Sequence, residues 1–173
     1  MNILLEILKI VLPCLIVFFA AFYVLKTVLN KDQERRKMEI ILQNQKLITP
    51  IRLQAYERMT LFLERISPNN VIMRLQTPNM TVTQLHKEML IIIRSEFEHN
   101  LSQQIYISAD AWEQIKIAKE KTVQMINLAY SELDPNANAM LLSQKIFEKL
   151  IENPKSALQC AIDYLKNEIK TLY

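Results

Sequence analysis

The chain contains no glycine. Average usage of about 7% would supply roughly a dozen in a chain of this length. Glycine provides left-handed turns and close backbone approach to phosphate. Its absence excludes the GxxxxGK[ST] phosphate loop and the GxGxxG dinucleotide turn, and Asn-Gly hairpins with them. Nucleotide enzymes of the common classes are therefore out, and helices joined by Pro- and Asn-containing corners are favoured. Cysteine is scarce as well. Cys14 lies in an apolar run and Cys160 in a late amphipathic segment, which gives no disulfide framework and suits a reducing compartment. A strong charge of either sign is missing too. From Asn30 onward 19 basic residues stand against 17 acidic, without the concentrated basic face that nucleic acid requires.

What is present is hydrophobic. Such residues make up 50% of the 173, enough for one compact domain plus an extension. Residues 10–25 read IVLPCLIVFFAAFYVL without a charge. Continued to Leu29, the run makes about 30 Å of helix, the thickness of a bilayer core. Lys26 near its end can snorkel, and Phe22 and Tyr23 suit the interface there. The start holds Glu6 and Lys9, and Ala20-Ala21-Phe22-Tyr23 offers no small-x-small site, so a cleaved signal peptide is not expected. The reading is a transmembrane signal anchor over residues 1–30, held in the lipid bilayer. One basic residue, Lys9, precedes the run, whereas Lys26, Lys31, Arg35, Arg36 and Lys37 accompany or follow it. That asymmetry puts the N-terminus outside a bacterial inner membrane and the rest in the cytoplasm. The stretch NKDQERRK reads first as topology and solvation, and alternatively as an anionic-lipid contact.

The remainder is all-α in pattern. Residues 31–49 extend the anchor as a membrane-proximal helical stalk, with Pro50 kinking or restarting the helix. Residues 50–173 form a helical bundle of about five helices. Ile51, Ala55, Met59, Phe62 and Ile66 share the face of the first. Ser67-Pro68-Asn69-Asn70 ends it, and Thr81-x-x-Gln84 is a capping box opening a helix to about Gln104. Ser108 or Asp110 caps the next, which carries Trp112, Ile115, Ala118, Ile126, Ala129 and Leu133 on one stripe. Lys116 and Glu120 decorate its outer face at i,i+4. A fourth helix shows Leu142, Ile146, Leu150 and Ile151 and ends at Asn153-Pro154. The last, from about Lys155, shows Leu158, Ala161, Ile162, Leu165 and Ile169.

Chemistry is hard to find in this pattern. Glu96-x-x-His99 is half of a helical di-metal site, but the chain holds one other histidine, His86, and Thr83 stands where its carboxylate would be. His86 points into the apolar face of Leu85, Met89, Ile93 and Phe97, whereas His99 points away and lies about 20 Å along the axis. No metal, cofactor or catalytic residue is expected. His86 reads as a core histidine with a hydrogen-bonded partner, His99 as a rim residue, Glu96 as paired to Arg94 or a neighbouring helix. Cys160 reads as a small buried hydrophobe, and Trp112 as a packing residue.

The segments PIRLQAYERMTLFLERISP, IRSEFEHNLSQQIYIS and AWEQIKIAKE resemble an uncharacterised family of N-terminally membrane-anchored helical proteins of Bacteroidota. The resemblance spans roughly residues 5 to 135 and implies a host group and an inner-membrane address, but no activity. The function expected is a non-enzymatic scaffold or assembly protein acting through protein partners or a homo-oligomer. Tyr56, Arg58, Arg65 and Tyr106 are its candidate interaction surface, being of the residue types enriched at hot spots. The alternatives are a membrane-surface sensor binding anionic lipid, and an enzyme or metal-binding bundle built on a histidine–carboxylate pair.

Overall fold

A computed structural model describes the backbone of residues 2–152 and 156–172, and the side chains of these residues except 2–11, 13, 14 and 172. The expectations on Cys14, on the corner at Asn153-Pro154 and on Lys155 lie outside the described residues. Among the described residues six α-helices and one short 3-10 helix follow one another. They are α1 (Asn2–Arg65), α2 (Pro68–Leu75), α3 (Val82–His99), the 3-10 turn Leu101–Ile105, α4 (Ala109–Ser131), α5 (Ala139–Glu152) and α6 (Ala157–Leu172). The chain divides into two compact units, Met1–Thr49 and Pro50–Tyr173.

The first unit is helical, and its described side chains are exposed apart from the half-buried Thr49. Among the described residues no helix is long and apolar enough to cross a membrane. This corrects the transmembrane anchor expected over residues 1–30, and with it the single-pass inner-membrane address and the outside-to-cytoplasm orientation. The uncharged stretch, residues 10–25, makes about 24 Å of helix, short of the roughly 30 Å of a bilayer core. From Lys26 onward charge recurs at Lys31, Asp32, Glu34, Arg35, Arg36 and Lys37, with Arg36 bonded to Asp32 at 2.9 Å. The helix also carries through Pro50 as one element rather than restarting there.

In the second unit, the last four turns of α1 bury Ala55, Tyr56, Met59, Phe62, Leu63 and Ile66. Ile51, expected on that face, is exposed, because the stripe begins one turn later. The chain turns at Ser67, and Pro68 opens α2 at the first helical position, where a missing N–H costs nothing. This helix had no counterpart in the sequence pattern. At eight residues it offers barely two turns of periodicity, yet it buries Val71 and Ile72.

No glycine is available for the corner after α2, and Asn79 takes the left-handed conformation there, with φ 69°. Asparagine tolerates that region better than other side chains. The capping box then forms as its residues require: Thr81 Oγ1 accepts from the Gln84 amide, and Gln84 Oε1 accepts from the Thr81 amide at 2.9 Å. α3 ends at His99, five residues before the expected Gln104, because Asn100 Nδ2 donates to the Glu96 carbonyl at 2.8 Å and the chain tightens into the 3-10 turn.

Ser108, not Asp110, caps α4: its Oγ accepts from the Ala111 amide at 3.0 Å. The α4 stripe buries Ile115, Ala118, Ile126 and Ala129, with Trp112 and Leu133 half-buried. Lys116 pairs with Glu113 rather than Glu120. α6 packs on α4 and buries Leu158, Ala161, Ile162 and Leu165. On α5, Leu142 and Ile146 enter the core, whereas Ile151 is exposed. Glu132, just past α4, accepts from Lys149 at 2.7 Å and faces Lys145 at 3.1 Å. These two lysines hold its carboxyl below the ordinary carboxylate range.

The starts of α3 and α5 are stitched together. Thr81 and Asn138 form an isolated antiparallel bridge. Val82 donates to the Ala137 carbonyl and Ala139 to the Met80 carbonyl, both at 2.9 Å. Thr83 Oγ1 adds a bond to the Pro135 carbonyl at 2.8 Å. Two helix N-termini thus satisfy part of their free donors on each other's entry loops.

Candidate functional site

The Glu96-x-x-His99 pair does not build a site. Glu96, at the end of α3, accepts from Arg65 Nε at 2.8 Å and from its terminal nitrogen at 2.6 Å. Arg74 of α2 approaches the same oxygen at 3.5 Å, and donates to the Arg65 carbonyl. Glu96 therefore ties α1, α2 and α3 together; of the two expected partners, it is the neighbouring helices and not Arg94 that hold it. His99 is exposed at the helix end. Among the described residues no group of three His, Cys, Asp or Glu side chains is placed to hold a metal ion.

His86 is half-buried at the edge of its face rather than within the core. Its Nε2 lies 2.8 Å from Asn127 Oδ1, and its ring stacks on Tyr130 at 4.1 Å. The amide and the phenol ring together hold the imidazole in place, which is a structural arrangement. Cys160 is exposed, not buried, because it falls between the inward-facing Leu158 and Ala161 on α6. Trp112 stacks on Phe97 at 5.4 Å, Phe97 meets Phe62 at 5.8 Å, and Lys119 Nζ sits 4.3 Å above the Phe97 ring. This aromatic chain links α1, α3 and α4.

The four residues expected to form one interaction surface are dispersed. Tyr56 is 1% exposed and belongs to the core. Arg58 and Arg65 lie two turns apart on the exposed face of α1, with Arg65 engaged by Glu96. Tyr106 ends the 3-10 turn, partly exposed, and its carbonyl accepts from Arg52 Nε at 3.2 Å. Lys26, Lys31, Arg35, Arg36 and Lys37 are all exposed on the first unit of α1. An arginine or tyrosine in sequence gives no facing until the core stripe is fixed.

The Tyr56 hydroxyl makes no hydrogen bond among the described residues, and neither does the inner carboxylate oxygen of Glu168. Burial, then the Glu168 carboxylate, push the Tyr56 phenol above its ordinary value of 10.0, with the Ser108 backbone and Arg52 opposing. Glu168, the Ser108 backbone and Arg52 stand near the hydroxyl without meeting hydrogen-bond geometry, so Tyr56→Phe should leave stability at neutral pH unchanged or raise it by at most about 1 kcal/mol. The sign with pH follows from the raised value. Below about pH 10 both folded and unfolded chains keep the proton. Above it the unfolded chain ionises first, and stability falls until the folded value is passed. Urea midpoints measured from pH 8 to 11 should fall less steeply at the alkaline end in Tyr56→Phe than in the wild type.

The best-formed open surface lies on the outward side of α4. A groove of about 660 Å³ runs between α3 and α4, with Leu90, Ile93 and Phe97 on one wall and Val123 and Asn127 on the other. Arg94, Lys119 and Glu120 stand on its rim. A second groove, of about 560 Å³, lies on the opposite flank of α4, bordered by Ile117, Lys121, Met125, Lys149 and Leu150. Gln124 and Leu128 border both grooves, and Leu128 is 52% exposed. The sequence reading missed this face because it followed only the inward stripe. The signal was there in Ile117 and Leu128, apolar residues that fall outside that stripe.

Comparison with known proteins adds one finding. The chain matches a family of unknown function, DUF7935, over residues 2–172 and belongs to it. No curated protein and no solved structure matches.

Proposed function

We propose that this protein is a non-enzymatic scaffold or assembly protein that works by binding another protein through the apolar portion of α1. The observation that carries the reading is the exposed run from Leu15 to Leu29. It presents Ile16, Val17, Phe18, Phe19 and Phe22 with more than half of each residue open, and Leu15 with 49%. Contiguous apolar area beyond a few hundred Å² marks a contact surface in a folded protein. Aromatic residues are enriched where such contacts are strong. The bundle of the second unit, with its own core, is the part such a protein would present or hold in place. The three sequence blocks that resemble Bacteroidota proteins support a host in that group.

The test is the mass of full-length protein purified from its host, by light scattering, beside a Phe18→Glu/Phe22→Glu variant. The assembly is expected to exceed the 20.3 kDa of one chain and to lose mass in the variant. Equal masses for the two would refute the reading.

A further inference from the structure

We infer that the outward face of α4 is a self-association surface, docking antiparallel against the same face of a second copy of this chain. Six residues recur along that face at alternating spacings of three and four: Gln114, Ile117, Lys121, Gln124, Leu128 and Ser131. This is the spacing of a helix–helix seam. Their order is polar, apolar, polar, polar, apolar, polar, and it reads the same from either end. A two-fold contact places the same patch on both subunits, so it needs a surface complementary to itself.

An antiparallel mate meets that need. Ile117 of one copy faces Leu128 of the other, and Gln114 faces Ser131. Lys121 faces Gln124, where the ammonium donates to the amide oxygen. A parallel mate would set Lys121 against Lys121 and lose that pairing. Grooves flank the ridge on both sides at Gln124 and Leu128, and the second groove alone runs beside Lys121 and the half-buried Gln114 and Ile117, which leaves space there for the second helix's side chains. Charge complementarity points the same way. Arg94, Lys119 and Glu120 share the rim of the first groove, and the two-fold turns one copy's Glu120 toward the cation-bearing rim of the other. That mixed-sign rim favours a copy of itself over a partner of uniform charge. This surface lies in the second unit and is separate from the α1 contact proposed above, so either can fail alone.

The test is cross-linking of the full chain with Cys14 and Cys160 changed to serine. Gln124→Cys lies within one turn of the two-fold, and a short bis-maleimide should join two copies. Met73→Cys, at a position 83% exposed on α2, is the reference. Proximity in a docked pair raises local thiol concentration into the millimolar range, so Gln124→Cys should couple about 100-fold faster at micromolar protein. Adding Leu128→Arg, at an exposed position that leaves the core intact, should return the rate to that of Met73→Cys. The inference is overturned if Gln124→Cys is no faster than the reference. It is equally overturned if the coupling ignores Leu128→Arg and disappears instead with Phe18→Glu/Phe22→Glu, which would assign the proximity to α1.

Discussion

Phe62→Ala should cost about 3–5 kcal/mol, the range for emptying a buried aromatic site. Phe62 is 1% exposed, and its ring lies against Phe97, which in turn stacks on Trp112. Removing it takes the first ring from a chain that joins α1, α3 and α4, and the rings left behind are fixed by other contacts. Trp112 holds Phe97 from one side and the Lys119 ammonium covers its face, so the site collapses poorly. Domains of this size have a net stability of about 5–15 kcal/mol, and the variant would sit near the threshold of folding. Urea unfolding followed by circular dichroism measures the loss. Phe62→Leu, which keeps most of the volume, should lose distinctly less. An equal loss in both variants would mean that the ring contacts, and not the cavity, carry the energy.

Leu165→Ala should cost about 2–5 kcal/mol by the same arithmetic, but with a different footprint. Leu165 is fully buried on α6, and α6 packs on α4. A shortened residue 165 leaves a gap on the buried face of α6, where the neighbouring core residue Ala161 is itself small. Native-state hydrogen exchange should therefore quicken throughout α6 while α3 and α5 keep their protection. Uniform quickening across all helices would instead make α6 part of one cooperative unit with the rest.

Much of the bundle was legible because its signals are local. Thr81 and Gln84 cap a helix by bonds four residues long at most, and the apolar stripe of α4 needs only helical periodicity. The positions that misled are those where facing depends on partners distant in the chain. Tyr56 looked like a surface aromatic, yet Ala55 and Met59 already turn that face inward. Glu96 was legible as paired to Arg94 or a neighbouring helix, but not which residue would hold it: Arg65, 31 positions away. The apolar opening run was read from hydropathy alone. Its 16 uncharged residues fall short of a membrane core, charge recurs from Lys26 onward, and no described helix is long and apolar enough to cross a membrane. The α4 outer face was overlooked for the opposite reason: its apolar residues are few, and only their order along the helix gives them meaning.

The clasp at the starts of α3 and α5 has a kinetic consequence. Thr83 and Pro135 lie 52 positions apart, so closing the clasp means bringing together the ends of a long, flexible chain. That entropy must be lost before the few bonds of the clasp return anything. α3 and α4, whose helical bonds are local, should form sooner, so that the clasp closes on helices already in place. Bonds made after the barrier contribute little to how fast the protein folds. They act instead on how long it stays folded. A glycine-free chain thus keeps its lifetime in a corner where Asn79 and Asn138 do the turning.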